Sequence, residues 1–203
     1  MTDAHYFSSA PGGPLRPRRI RVRLAGRELE VTTGAGVFSP EHLDTGTRVL
    51  LDTVPPPPPA GDLLDLGCGW GPVALTLALS SPDATVWAVD VNERALELTR
   101  RNAGELGLTR VNATPPDGVP EEATFAVIWS NPPIRIGKGE LHALLERWLP
   151  RLAPDGHAWL VVQKNLGADS LHRWLADTFA PEFGVARVTT EKGFRVLDVH
   201  RHP

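Results

Sequence analysis

The chain is poor in cysteine, methionine and tyrosine, with one of each among 203 residues. A lone cysteine, Cys68, excludes an internal disulfide, so a reducing, cytoplasmic setting is expected. No apolar run approaches the roughly 20 residues of a membrane span. The opening residues, Met1-Thr2-Asp3-Ala4-His5, lack the basic-then-apolar pattern of a secretory leader, so neither insertion nor secretion is expected. Excess positive charge is missing as well. With 21 Lys and Arg against 24 Asp and Glu, the net charge is -3, which argues against a protein that coats nucleic acid by bulk electrostatics. The seven histidines show no metal-ligand spacing; His200 and His202 lie two apart near the C-terminus, and no metal is expected. Internal repeats are absent.

What remains is ordinary globular composition, 41% hydrophobic and 22% charged, at a length that favours one core. Residues 1–15 mix Pro, Gly and Ser and predict a loose lead-in. Ile20, Val22 and Leu24 alternate with Arg19, Arg21 and Arg23, and the alternation resumes at 28–32, a hairpin pattern. Its arginines are either the polar face of an amphipathic sheet or an arm that contacts phosphates. A turn-rich passage then leads into a short helix around Val49, Leu50 and Val54. Pro55 to Pro59 follow as a stiff, extended spacer.

From residue 63 strand-like runs alternate with helical patterns: 63–66 then 72–80, 85–90 then 93–106, 125–130 then 139–152. A strand at 157–163, a helix marked by Leu171, Trp174 and Leu175, and an antiparallel pair at 185–190 and 194–200 complete the series. Such alternation predicts a parallel sheet covered on both faces. The expected organisation is an N-terminal hairpin and helix extension over 1–54, a Pro-rich spacer over 55–60 and an α/β core over 61–203.

Three signals carry chemistry. The first is Asp65-Leu66-Gly67-Cys68-Gly69-Trp70-Gly71-Pro72, a strand running into a glycine loop and then a helix, where backbone N–H groups can approach a ligand. A dinucleotide oxidoreductase would place its third glycine where this chain has Pro72. The spacing instead resembles that of methyltransferases, whose glycine loop wraps the methionine end of S-adenosyl-L-methionine. Cys68, inside that loop, reads as packing rather than as a nucleophile. The second is Asp90, with Val91 and Asn92 after it, at the end of a strand where a carboxylate can accept ribose hydroxyls; capping the next helix is its other reading. Asp117-Gly118 falls where this architecture meets an adenine, or is a plain turn.

The third signal is Ser130-Asn131-Pro132-Pro133-Ile134 at the carboxyl end of a strand, the edge where ligands collect in open parallel sheets. An amine on a planar ring is a poor nucleophile because its lone pair is delocalised. If the Asn131 side-chain oxygen and the Pro132 carbonyl each accept one N–H, the lone pair localises and can be aimed at a methyl donor. Proline offers an acceptor without a donor and keeps the chain rigid.

Together with Gly36-Val37-Phe38-Ser39, Leu43-Asp44-Thr45-Gly46-Thr47, the run Asn131 to Lys138, and Val161-Val162-Gln163-Lys164, these motifs resemble the ribosomal RNA small subunit methyltransferase C family, from about His5 to the end. The resemblance is to its short, single-catalytic-domain members. It implies an α/β doubly wound, seven-stranded, mostly parallel sheet of the class I methyltransferase, Rossmann-like type, with a small N-terminal hairpin extension. It further implies S-adenosyl-L-methionine as cofactor and a guanine N2 amine of 16S ribosomal RNA, or of the small ribosomal subunit, as acceptor. Asp65, Gly67, Gly69, Gly71 and Asp90 would hold the cofactor, joined by Cys68, Val91, Asn92, Asp117, Gly118 and Asn131. Asn131 and Pro132 would hold the amine. Pro133, Ile134, Phe38, Arg135 and Lys138 are the remaining substrate-side candidates. Many relatives carry an aromatic where this chain has Ile134, so Phe38 is the candidate for stacking on the base. Adenine N6 or a protein glutamine amide are alternative acceptors, and an RNA-binding or assembly factor without catalysis is the alternative of another class. A monomer is the simplest expectation.

Overall fold

The computed structural model describes residues 15–203, apart from the side chain of Arg135. The lead-in expected over 1–15 and the start of the resemblance near His5 therefore lie largely outside the described residues.

The alternating segment folds into an antiparallel hairpin, β1 (Pro17–Leu24) and β2 (Arg27–Gly34). Its two-residue turn has positive φ at both positions, 47° at Ala25 and 74° at Gly26, the geometry whose twist matches that of the flanking strands. Arg21 pairs across the ladder with Glu30 and Arg23 with Glu28, while Arg18 and Arg19 reach Glu41 and Glu105. Opposite charges balance the outer face, which favours the polar-face reading of the arginines over the phosphate arm.

α1 (Thr45–Thr53) follows, then β3 (Asp62–Leu66), α2 (Pro72–Ser80), β4 (Thr85–Val89), α3 (Glu93–Glu105), β5 (Val111–Thr114), β6 (Phe125–Ser130), α4 (Lys138–Trp148), β7 (Leu152–Gln163), α5 (Ala168–Phe179), β8 (Phe183–Glu191) and β9 (Phe194–Arg201). The seven-stranded sheet runs β5-β4-β3-β6-β7-β9-β8, parallel through β7, with β9 antiparallel to both neighbours. The expected doubly wound α/β architecture is what the chain forms. β5 is not among the strands expected from the pattern, and two boundaries differ from it by four residues or more. α4 stops at Trp148 because Pro150 holds the next turn in a 3-10 helix, and β7 begins at Leu152 rather than 157.

Neighbouring strand residues point to opposite faces, and each face has its own core. Leu64, Ile128, Leu160 and Leu197 pack with Leu145 and Trp148 of α4 and Leu171 and Leu175 of α5. Leu63, Val127, Val161 and Val196 pack with Val49 and Leu50 of α1 and with Val73, Ala74 and Leu77 of α2. Pro72 through Ala78 of α2 are all buried, which explains why its sequence has no polar stripe: the sheet covers one side and the hairpin, through Val22, Leu24 and Val31 around Leu75, covers another. Asn102 of α3 fastens the hairpin. It is 1% exposed, accepts from the Thr32 N–H at 2.7 Å and donates to the Thr32 and Trp70 carbonyls at 2.8 and 2.9 Å.

Asn102→Ala would strand those three buried backbone groups. Urea unfolding is expected to show a loss of about 3 kcal/mol or more; a loss under about 1 kcal/mol would mean that the hairpin is held by apolar contacts alone.

Candidate active site

The order of strands reverses between β3, which continues to β4 on one side, and β6 on the other. Crevices at such switch points receive ligands at the carboxyl ends of the strands. Leu66 pairs with both Val89 and Ser130, so β3, β4 and β6 end level, and Ser130 Oγ donates to the Leu66 carbonyl at 2.6 Å. Their loops meet around a cavity of about 450 Å³. Its lining includes Asp65 to Trp70, Val89 to Asn92, Asn131 to Ile134 and, from the N-terminal segment, Val37, Phe38, Ser39, Asp44 and Thr47.

In the glycine loop the structure corrects one expectation. The N–H groups of Gly67 and Cys68 both donate to the Val89 carbonyl, that of Gly69 to Asp90 Oδ2 at 2.9 Å, and that of Gly71 to the Cys68 carbonyl. They hold the loop together and are not aimed at a ligand. The glycines supply positive φ instead, +83° at Gly67 and +57° at Gly69, a conformation that side chains rarely adopt. A Cβ at Gly67 would stand at ordinary contact distance, 3.9 Å from Pro133 Cδ and 4.0 Å from the Asn131 carbonyl, so the two loops face each other there. Gly71, with φ at +96°, starts α2 and lies against Thr99 outside the lining.

Three carboxyl groups, Asp44, Asp65 and Asp90, line the cavity, and no Lys or Arg does so among the described residues. Asp65 is 1% exposed and accepts the Ala74 N–H at 2.8 Å. Burial pushes its pKa up to about 8 against the pull of that N–H, and Asp90 adds to the rise. Asp90 accepts from Gly69 and, through Oδ1, from the Asn92 N–H at 2.9 Å; burial raises it as well. Each carboxylate oxygen still has acceptor capacity. Burial, with Asp90 and Asp65 nearby, also pushes the Cys68 thiol well up, which leaves it protonated and unreactive.

Asn131 is held by residues far away in the sequence. Its Nδ2 donates to Asp44 Oδ2 at 2.9 Å and to Thr47 Oγ1 at 3.0 Å. Both amide hydrogens are thereby used, and the network assigns Oδ1 as the open end. Pro132 O accepts the Ile134 N–H at 2.8 Å across Pro133, whose φ of -73° and ψ of 74° form an inverse γ-turn. One of its two lone pairs remains.

The segment before α1 is laid across this edge of the sheet. Asn92 Nδ2 donates to the Gly36 carbonyl, Arg94 to that of Ala35 and Trp70 Nε1 to that of Ser39. Phe38, Val91 and Leu166 line the cavity and stay partly exposed to solvent. Asp117 and Gly118 do not line the cavity: Asp117 turns outward to Arg147 at 2.8 Å, and Pro116 takes the lining place. Lys138 lines a smaller neighbouring cavity together with Ile134 and Leu166. Asp44, Thr47, Trp70, Gln163, Leu166 and Phe194 are lining residues to which the sequence assigned no role. An Asp ahead of a helix is a recognisable cap, but its reach to a residue 87 positions on has no local signal. No group of three or more metal-ligating side chains occurs among the described residues, and no described helix is long and apolar enough to cross a membrane.

Residues 28–198 match the methyltransferase small domain. Protein YbxB of Bacillus subtilis, described as uncharacterized, is 38% identical over 196 residues, covering 95% of this chain and 96% of its own. A ribosomal RNA small subunit methyltransferase C of Pseudomonas aeruginosa is 34% identical over 191 residues, covering 91% of this chain and 54% of its own. A ribosomal RNA large subunit methyltransferase G of Ectopseudomonas mendocina is 31% identical over 195 residues, covering 93% and 50%. The chain thus spans about half the length of these two named methyltransferases. Among solved structures, the 16S rRNA N2 methyltransferase (RsmC) of T. thermophilus in complex with AdoMet and guanosine superposes with a TM-score of 0.80 at 25% identity, over 95% of this chain and 53% of that one. The resemblance stated from the motifs holds.

Asp65 has a consequence for stability. Its folded pKa of about 8 lies above the ordinary 3.8, so between these values the folded protein keeps a proton that the unfolded chain releases. The stability this contributes is complete below the ordinary value and is lost as pH rises through about 8. The urea midpoint is expected to fall from pH 6 to pH 9 in the wild type and to fall less in Asp65→Asn; equal slopes would show that the proton is not on Asp65.

Proposed function

The chain belongs to the methyltransferase small domain family, and from that premise we propose that it transfers a methyl group to the exocyclic N2 amine of a guanine in 16S ribosomal RNA. S-adenosyl-L-methionine is the cofactor, and when bound it supplies an electrophilic methyl on a sulfonium. The residues of the cavity fit that group. It carries a sulfonium and an ammonium against one carboxylate and is a net cation, and the lining presents Asp44, Asp65 and Asp90 with no basic side chain among the described residues. A dinucleotide would bring a pyrophosphate, for which free loop N–H groups are needed; here they are occupied. We assign Asp65, Asp90 and the glycine loop to cofactor binding, Asp90 as the acceptor for ribose hydroxyls, and Val91 and Pro116 as apolar neighbours of the adenine.

The observation that carries the reading is the orientation of Asn131. Its amide oxygen is left open beside the Pro132 carbonyl because Asp44 and Thr47 hold both of its hydrogens. Two acceptors fixed in this way take the two N–H bonds of a ring amine, localise its lone pair and aim it. No side-chain base is required, since the proton leaves after transfer. Phe38 and Ile134, with Leu166, supply the apolar surface for the base. The relative solved with AdoMet and guanosine supports the same pairing of ligands. An RNA-binding factor without catalysis would have no use for an amide oxygen held open in this way.

Nucleoside mass spectrometry of small- and large-subunit ribosomal RNA, from cells with and without the protein, tests the acceptor. N2-methylguanosine is expected to disappear from 16S RNA in the deletion. Loss of N6-methyladenosine, or of a mark in the large subunit alone, would contradict the reading. Asn131→Ala is expected to lower kcat by about 100-fold or more with little change in KM for the cofactor.

A further inference from the structure

Asp44 is used on one side only. Its Oδ2 accepts the Thr47 N–H at 3.0 Å, which caps α1, and the Asn131 amide at 2.9 Å. Oδ1 has no donor among the described residues, and the side chain lines the cavity next to the open Asn131 oxygen. With no Lys or Arg in that lining, nothing inside the described cavity answers this oxygen. Asp44 is half-buried, and a carboxylate oxygen that faces the cavity with its acceptor capacity unused is a place for a ligand's N–H.

We propose that Asp44 Oδ1 accepts the N1–H of the target base and makes the site specific for guanine over bases that share an exocyclic amine. The inference rests on the guanine-N2 reading above. Guanine places N1–H directly beside its N2 amine, so a base whose N2 lies on Asn131 and Pro132 turns a second donor toward the neighbouring carboxylate. Adenine presents a bare N1 lone pair beside its N6 amine, and 2-aminopurine carries the N2 amine beside the same bare N1. Both would set a lone pair against a carboxylate oxygen, leaving two acceptors facing each other without a proton. Asn131 and Pro132 can hold any ring amine; Asp44 reads the atom next to it.

Asp44→Asn separates reading from support. Thr47 N–H and Asn131 Nδ2 are both donors, so an asparagine at this position keeps its oxygen toward them and turns its NH2 into the place of Oδ1. Asparagine is also a good helix cap, so α1 is retained. The variant then offers a donor where the wild type offers an acceptor.

The test compares guanosine, 2-aminopurine riboside and adenosine on the protein loaded with S-adenosylhomocysteine. Binding is followed on that complex by quenching of 2-aminopurine fluorescence and by competition, and methyl transfer is followed separately on protein supplied with radiolabelled S-adenosylmethionine instead. Wild type is expected to prefer guanosine over 2-aminopurine riboside by about 10- to 100-fold. Asp44→Asn is expected to reverse or abolish that preference, while Asp44→Ala weakens both and loses discrimination. An unchanged ratio in Asp44→Asn, with both ligands weakened equally, would overturn the assignment and leave the guanine-N2 reading standing. A wild type that binds and methylates adenosine in preference to guanosine would overturn that reading itself.

Discussion

The two hydrogens of one side-chain amide constrain the rest of the site. A carboxamide has a donor end and an acceptor end of nearly equal size, and an unrestrained one offers a ligand either. At Asn131 the choice is made by Asp44 and Thr47, which accept both hydrogens and leave the oxygen exposed to the cavity. That arrangement requires the start of α1 to sit against the end of β6. Gly46 permits it, since a Cβ there would fall 2.8 Å from the Phe194 ring. The segment before α1 is therefore a wall of the cavity, tied by its carbonyls to Trp70, Asn92 and Arg94.

The cavity selects charge by what it withholds. A glycine loop in front of a helix is ordinarily a place for phosphates, because its N–H groups and the helix dipole point outward. Here those groups close on Val89, Asp90 and the loop itself, and Asp65 accepts from the first turn of α2 at Ala74. The helix end that would attract an anion is already answered by a buried carboxyl group. What faces the ligand is acidic and apolar, suited to a compact cation with aromatic and ribosyl parts. The burial that raises Asp65 and Asp90 also makes them responsive, because a neighbouring positive charge favours their ionised forms.

Much of the architecture was legible because the chain is locally consistent: period-two alternation in the hairpin, apolar runs of strand length, a Gly-Pro junction at α2 and an Asn cap at α3. That Asp65, Asp90, Asn131 and Pro132 come together around one cavity was legible as well, since each sits at or near a strand end where the topology collects ligands. What the sequence concealed depended on distance or on competition for donors. Nothing near Asp44 announces a partner at Asn131, and the occupied state of the loop N–H groups follows from the level ending of β3 and β4. Of the two readings open for Asp117-Gly118, the structure favours the plain turn: Asp117 points outward to Arg147 and leaves the lining to its neighbour Pro116.

The proposed reaction requires residue 131 to present an acceptor, and not a donor, to the base. A crystal structure with S-adenosylhomocysteine and guanosine bound together tests it most directly. Guanine N2 is expected within hydrogen-bonding distance of both Asn131 Oδ1 and Pro132 O, facing the cofactor sulfur, with the amide still donating to Asp44 and Thr47. A base bound elsewhere, or an Asn131 amide that has turned its nitrogen toward the amine, would contradict it.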